Sequence, residues 1–379
     1  MNNVVKQMTS FIVMDVLDKA NEMAASGIDD IIHLEVGEPD FDMPKCACES
    51  VAEALNSGFT HYTHSLGTGE LRHELSRFYK KEYGIDVEAD RFVITSGSSP
   101  AILLAMMILA GQGNEVIISN PGYACYRNFI LSCGANPVEF PLSASEGFQF
   151  DVEKLKKTIT PQTAAIVINS PMNPTGTLLE PSVMRDMANL GVPIISDEIY
   201  HGLVYGSAKA HTMLEFTDEA FVVGGFSKRY AMTGLRIGYL IAPKRFMRDL
   251  QTLQQNLFIC APSISQKAAL SVLSGAADSE VQNMCKTYNE RRVYLLERLK
   301  SIGFDIQTEP MGAFYVFADA SRFTSDCYKF AFDVLEKCHV GITPGIDFGS
   351  RGERFVRFSY ANSIENIRTA MDRLQSILC

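Results

Sequence analysis

Between about residues 90 and 240, short apolar and β-branched runs alternate with segments whose apolar positions recur at helical spacing. The runs predict strands at 91–95, 115–119, 164–168, 193–196, 221–224 and 237–242. The segments between them predict helices at 100–110, 126–133, 152–158 and 181–189. Several strands are apolar nearly throughout, as parallel strands covered on both faces by helices must be. This alternation predicts an α/β fold, a mainly parallel sheet sandwiched by helices. After about residue 280 the texture changes. A long charged amphipathic stretch at 279–299 predicts a helix running between domains. Strands at 312–317 and 355–360 and helices at 325–338 and 364–378 follow, an α+β pattern. We therefore expect a large domain over 46–280 and a smaller α+β domain built from 1–45 and 281–379.

Composition narrows the class without naming it. The 379 residues are 46% hydrophobic and 21% charged, as expected of a globular chain. A formal net charge of −10 argues against nucleic acid or an anionic membrane as partner. The longest apolar run, 101–110, falls short of the ~20 residues that span a bilayer and reads as a buried helix. The N-terminus lacks a signal-peptide pattern, because Asp15 interrupts its apolar stretch at 11–17. Nine scattered cysteines, without metal-site spacing, read as free thiols. The expectation is a cytoplasmic protein that binds no metal.

Ligand sites in open α/β sheets gather where strands end, and the chemically loaded residues of this chain cluster there. Ser96-Gly97-Ser98-Ser99-Pro100 follows a strand and opens an apolar helix, with Pro100 suited to the first helical position. Its free N–H groups and the positive end of the helix dipole suit a phosphate, although by itself the segment reads better as a helix capped by Ser98 or Ser99. Pro121-Gly122-Tyr123 places an aromatic ring after the next strand. Asn169 to Gly176 holds Asn173 in a loop made rigid by two prolines and a glycine. Asp197 ends an apolar strand, where a carboxylate is costly unless a cation or several donors meet it. Taken alone, it reads equally as an ordinary helix N-cap. Lys228, in Gly224-Gly225-Phe226-Ser227-Lys228-Arg229, stands eight residues before Arg236, which leads into another apolar strand.

The run Ser227-Lys228-x₃-Met232-Thr233-Gly234-x-Arg236-x-Gly238-Tyr239 resembles the class I aminotransferases, the fold-type I pyridoxal-phosphate enzymes. So do Asn173-Pro174-x-Gly176 and Asp197-Glu198-x-Tyr200. The likeness runs in the family's order from Val36-Gly37-Glu38-Pro39-Asp40-Phe41 to Val356-Arg357-Phe358-Ser359-Tyr360-Ala361, nearly the whole chain. It implies an aspartate-aminotransferase-like fold and pyridoxal 5'-phosphate as cofactor. It also implies ping-pong transfer between an L-amino acid and a 2-oxo acid through a Lys228 internal aldimine and pyridoxamine phosphate.

The resemblance assigns each residue a role. Lys228 carries the cofactor and moves protons; Asp197 pairs with the pyridinium nitrogen. Tyr200 and Asn173 bond the ring's phenolic oxygen, and Tyr123 stacks on the ring. Arg236, Ser227, Ser98 and Ser99 hold the phosphate, joined by Tyr62 from the neighbouring subunit of a homodimer. Arg357 takes the substrate carboxylate in a bidentate fork, with the Gly37 backbone beside it. Where many relatives have lysine this chain has Ser99, which argues against a dedicated aspartate enzyme. Where others have a phosphate-binding serine it has Gly225. Two alternatives stay open: a carbon–sulfur β-lyase of the same fold, and a non-catalytic or regulatory cofactor-binding protein. The segments at 11–17 and 260–265 are apolar or small and could line the side-chain pocket, which favours a neutral amino donor, aliphatic or aromatic.

Overall fold

The computed structural model describes residues 4–379; residues 1–3 of the segment assigned above to the smaller domain lie outside the described residues. A short strand, Ile32–His33 (β1), precedes the main run of Phe92–Thr95 (β2), Glu115–Asn120 (β3), Asn136–Pro141 (β4), Thr163–Asn169 (β5), Ile194–Asp197 (β6), Phe221–Gly225 (β7) and Gly238–Ile241 (β8). Strands β2 to β8 form one sheet in the order β2-β8-β7-β6-β5-β3-β4. All its pairings are parallel except those of β8, which runs antiparallel to both β2 and β7. Side chains alternate across the sheet, so Ile117, Ile166 and Val222 pack into one apolar layer while Val116, Val167 and Val223 pack into the other. Burial on both faces is why these strands are apolar throughout.

The topology gathers the loops that matter. The ends of β2, β3, β5, β6 and β7 lie at one rim of the sheet. Because β8 is antiparallel, its beginning, just after Arg236, lies at that rim too. The 101–110 run lies in the helix Ser98–Leu109 and its C-cap Ala110, buried on one face of the sheet. Among the described residues no helix is long and apolar enough to cross a membrane.

Four strands follow: Tyr315–Asp319 (β9), Val340–Gly341 (β10), Thr343–Pro344 (β11) and Phe355–Ser359 (β12). Strand β12 is central in an antiparallel sheet between β11 and β9, and β10 pairs with β1. The long charged stretch is the helix Asp278–Ile302, which packs against β9 and the C-terminal helix Ile364–Leu378.

Three expectations shift. The phosphate-loop helix begins at Ser98 with Gly97 as its cap, so Pro100 is its third residue, not its first. A proline is tolerated there because the first four N–H groups of a helix have no intrahelical acceptor. Strand β9 begins at Tyr315, since Gly312 forms an isolated bridge with Val204 and Ala313 has a positive φ of 56°. Strand β4 had no counterpart in the hydrophobic pattern: it is a sheet edge, largely uncovered, and its Pro137 and Pro141 are tolerated only there.

Candidate active site

A cavity of ≈ 340 Å³ opens at the rim where these strands end. Gly37, Ser98, Ser99, Tyr123, Asn173, Asp197, Tyr200, Ser227, Lys228, Arg236 and Arg357 all line it. Tyr62 does not; its side chain is 81% exposed on the outside of the chain. The apolar wall comes from Phe11, Val13, Met14 and Leu17, in and before the helix Ile12–Ala25. The segment 260–265, which could have joined that wall, contributes no residue to it.

One end of the cavity is built for an anion. The helix Ser98–Leu109 starts without a side-chain cap, so its first N–H groups are free and its dipole is positive there. Gly97, with φ of +94°, has no room for a side chain: a Cβ would stand 2.5 Å from the Arg236 guanidinium. Gly238 is equally constrained, since a Cβ would meet Ser98 N at 2.9 Å. These two glycines let Arg236 and the start of the helix close on one point, with the Ser227 hydroxyl beside them. Arg236 is fixed by a 2.8 Å bond from its guanidinium to the carbonyl of Thr233.

At the cavity floor Asp197 ends β6. Its Oδ2 accepts a 2.6 Å bond from Tyr126 Oη and its Oδ1 accepts from the Ile199 N–H at 3.2 Å. Burial pushes this carboxyl up to about 6, against the lowering effects of those two donors and of Lys228. A carboxylate so held favours a cationic nitrogen in front of it. Its neighbour Glu198 is bonded instead by Ser196 Oγ and the Met213 N–H, and burial pushes it up to about 8.

Lys228 Nζ donates to the Gly37 carbonyl at 2.7 Å. Desolvation in the cleft lowers its pKa to about 8; Glu38 opposes the shift, while Arg236 and Arg357 add to it. A neutral, nucleophilic amine is therefore accessible near neutral pH.

Arg357, on β12, is 2% exposed. Its guanidinium donates to Asn173 Oδ1 at 2.9 Å, to Thr343 Oγ1 at 3.2 Å and to the Glu35 carbonyl. It lies 4.3 Å from the centre of the Tyr315 ring and 5.0 Å from that of Phe348. Asn173 is itself oriented by Asn169, whose Oδ1 accepts the Asn173 N–H at 2.7 Å and whose amide donates to the Asp197 carbonyl at 2.8 Å. The amide of Asn173 thus turns inward to a buried arginine.

Two tyrosines of this site carry no signal in the sequence pattern. Tyr315 shares a 2.9 Å hydroxyl contact with Tyr200, and its Oη would be 2.6 Å from a Cβ at Gly37, which explains that glycine. Tyr126 completes Asp197 from 71 residues away. Removing its hydroxyl with Tyr126→Phe deprives a buried carboxylate of its shorter hydrogen bond. The expected loss is ~1.5–3 kcal/mol, or roughly 10- to 100-fold in turnover. Steady-state kinetics check it, and an unchanged kcat would show that the bond does not matter to Asp197.

Phosphate-ready backbone and arginine, a ring-nitrogen partner and a low-pKa amine lie in one cavity, and that donor set fits pyridoxal 5'-phosphate. Comparison with known proteins agrees. Residues 29–374 match the family model of aminotransferase class I and II. The chain is 42% identical over 373 residues to a (5-formylfuran-3-yl)methyl phosphate transaminase of Methanocaldococcus jannaschii, covering 97% of each chain. It is 39% identical over 375 residues to a valine–pyruvate aminotransferase of Mycobacterium tuberculosis, covering 97% of this chain and 96% of the relative. Among solved structures it resembles the Thermus thermophilus aspartate aminotransferase with maleate, at a TM-score of 0.95 and 33% identity, covering 100% of this chain and 99% of the other. The chain belongs to the class I and II aminotransferases, enzymes that depend on pyridoxal 5'-phosphate.

Proposed function

We propose that this aminotransferase takes its amino group from a neutral L-amino acid, aliphatic or aromatic, and passes it to a 2-oxo acid by a ping-pong course. The observation that carries the donor class is the cavity wall. Its cationic side chains are Lys228, Arg236 and Arg357. With Lys228 as the amine, Arg236 on a phosphate and Arg357 on the α-carboxylate, no cation among the described lining residues is left for an acidic side chain. Phe11, Val13, Met14 and Leu17 offer apolar surface instead.

When bound, the cofactor supplies an electrophilic carbonyl carbon and a ring that withdraws electrons from the substrate's Cα. The protein's own residues do the rest. Arg236, Ser227 and the N–H groups of Ser98 and Ser99 hold the phosphate, and the Asp197 carboxylate keeps the ring nitrogen protonated. Asn173 and Tyr200 would donate to the phenolic oxygen, and Tyr123 would stack against the ring. Lys228 Nζ is the base that takes the proton from the donor's Cα. Arg357 receives the carboxylate in a fork already oriented by Asn173 and Thr343, with the Gly37 backbone alongside.

The working unit in this reading is a cytoplasmic homodimer. Tyr62 reaches the phosphate of the neighbouring subunit, and two features support that. The segment around it is pinned by Gln266 to Thr63 Oγ1 at 2.9 Å and by Ser263 to the Phe59 carbonyl at 3.1 Å. Leu257 and Ile259, both about half exposed, lie on the neighbouring stretch. All nine cysteines are unpaired, as suits a reducing compartment. Each subunit would comprise a large domain over 46–280 and a smaller one from 1–45 and 281–379, with the cavity between them.

Single half-reactions with a panel of amino donors test the donor class: leucine, phenylalanine or methionine should convert the bound cofactor faster than aspartate does. Aspartate as the fastest donor would refute it. Arg357→Lys should raise KM for the amino acid about tenfold or more, since losing a bidentate fork costs ~1.5 kcal/mol or more. Unchanged kinetics would remove Arg357 from the carboxylate site.

A further inference from the structure

The helix that faces the donor's side chain is met at its first turn by one distant carboxylate. The helix Ile12–Ala25 has Phe11 as its cap residue, which offers no side-chain acceptor. Its first N–H groups are met instead by Asp347, whose Oδ1 accepts from Ile12 N at 2.9 Å and whose Oδ2 accepts from Val13 N at 3.3 Å. Asp347 is 8% exposed, and a carboxylate at a helix N-terminus is favoured by the dipole. The later turns of the helix are secured differently: Val16, Ala20 and Met23 pack against Leu335. The first turn, which carries the cavity residues Phe11, Val13 and Met14, is held by Asp347 and by the edge-on contact of Phe11 with Tyr123.

The turn that bears Asp347, Gly345–Phe348, is itself tightly built. A Cβ at Gly345 would fall 2.3 Å from the Gly352 carbonyl oxygen, so the turn closes directly on the backbone that follows it. The Phe348 carbonyl accepts from the Gly122 N–H at 2.9 Å, which ties the turn to the loop bearing Tyr123. Phe348 also packs its ring against Arg357. One short turn therefore touches the carboxylate-binding arginine through Phe348 and the apolar wall through Asp347.

We propose that Asp347 is a positioning residue for substrate choice, fixing the distance between the Arg357 fork and the apolar wall at Phe11, Val13 and Met14. This rests on the neutral-donor reading above. The inference predicts a penalty graded by side chain. Alanine as donor does not reach the wall, whereas leucine and phenylalanine lean on it.

The test compares the wild-type holoenzyme with Asp347→Asn and Asp347→Ala, using alanine, leucine and phenylalanine as donors. Loss of a helix cap frays a first turn. Asp347→Ala should lower kcat/KM for leucine and phenylalanine roughly tenfold, chiefly through KM, while alanine changes by less than about threefold and the cofactor's absorbance is unchanged. Asp347→Asn, which keeps one acceptor, should fall between. An equal loss for all three donors, a loss confined to kcat, or no loss would overturn the proposal. Amide exchange separates this result from the fate of the donor-class reading. If the wild type takes only acidic donors, it is that reading that fails. The positioning role then stands or falls on the same variants: faster exchange of amides 12 to 14 in Asp347→Ala, with 16 to 25 unchanged, supports it, and unchanged exchange at 12 to 14 overturns it.

Discussion

Lys228→Ala is expected to abolish transamination, with turnover falling by ~10²–10⁴-fold or more, the scale on which a positioned general base acts. Among the described residues no other lysine lines the cavity, so no side chain there can take over both its amine chemistry and its proton transfer. The neighbourhood that lowers its pKa to about 8 acts on that one nitrogen, through desolvation and the nearby Arg236 and Arg357. The variant should still bind the cofactor phosphate, because Arg236 and the start of the helix Ser98–Leu109 do not depend on Lys228. Its absorbance should be that of the unattached cofactor. The measurement is donor turnover beside the spectrum of the purified variant. Turnover within tenfold of wild type, or an unchanged spectrum, would remove Lys228 from the chemistry.

Asp197→Asn comes next in expected effect. Asparagine keeps the shape, and with its carbonyl oxygen on the Ile199 N–H its amide NH2 can donate to Tyr126 Oη, whose hydroxyl then accepts, so the fold should survive. What it loses is the negative charge facing the cavity. Breaking a buried ion pair by neutralising one partner costs ~3–5 kcal/mol, which corresponds to roughly two to four decades in rate if the pair is needed in the transition state. The loss should fall on kcat more than on KM, since Asp197 faces the ring nitrogen and Arg357 holds the substrate. A change in KM alone, with kcat intact, would mean that Asp197 serves substrate binding and not the ring.

The contrast between these residues and Tyr126 explains how much the sequence could tell. Lys228, Asp197, Asn173 and Arg236 sit where apolar strands stop, and a parallel sheet covered on both faces makes those stops visible as breaks in a hydrophobic run. Glycines and prolines mark the same breaks, because backbone must pass close to backbone at Gly97 and Gly238. Tyr126 stands in the first turn of the helix Cys125–Ser132 and Tyr315 is the first residue of β9, yet their partners are 71 and 115 residues away. No local pattern encodes such a contact. Asp347 is more remote still, meeting Ile12 across 335 residues. Strand β4 escaped for the opposite reason: an edge strand buries little, so hydrophobic periodicity has nothing to register. The apolar stretch at 11–17 was legible as a pocket wall by composition, and its helix is held from its own first turn by a side chain near the other end of the sequence.

The central claim is that a free amino acid gives up its amino group in this cavity and leaves as the matching 2-oxo acid. A single half-reaction tests it most directly. Holoenzyme mixed with excess leucine or phenylalanine, and with no acceptor present, should lose the absorbance of the aldehyde form of the cofactor and gain that of the amine form. It should release one equivalent of the corresponding 2-oxo acid per site, and added 2-oxo acid should reverse the change. Failure of every amino donor to convert the cofactor, together with stoichiometric pyruvate, ammonia and homocysteine from cystathionine, would contradict the account and make the protein a lyase of the same fold.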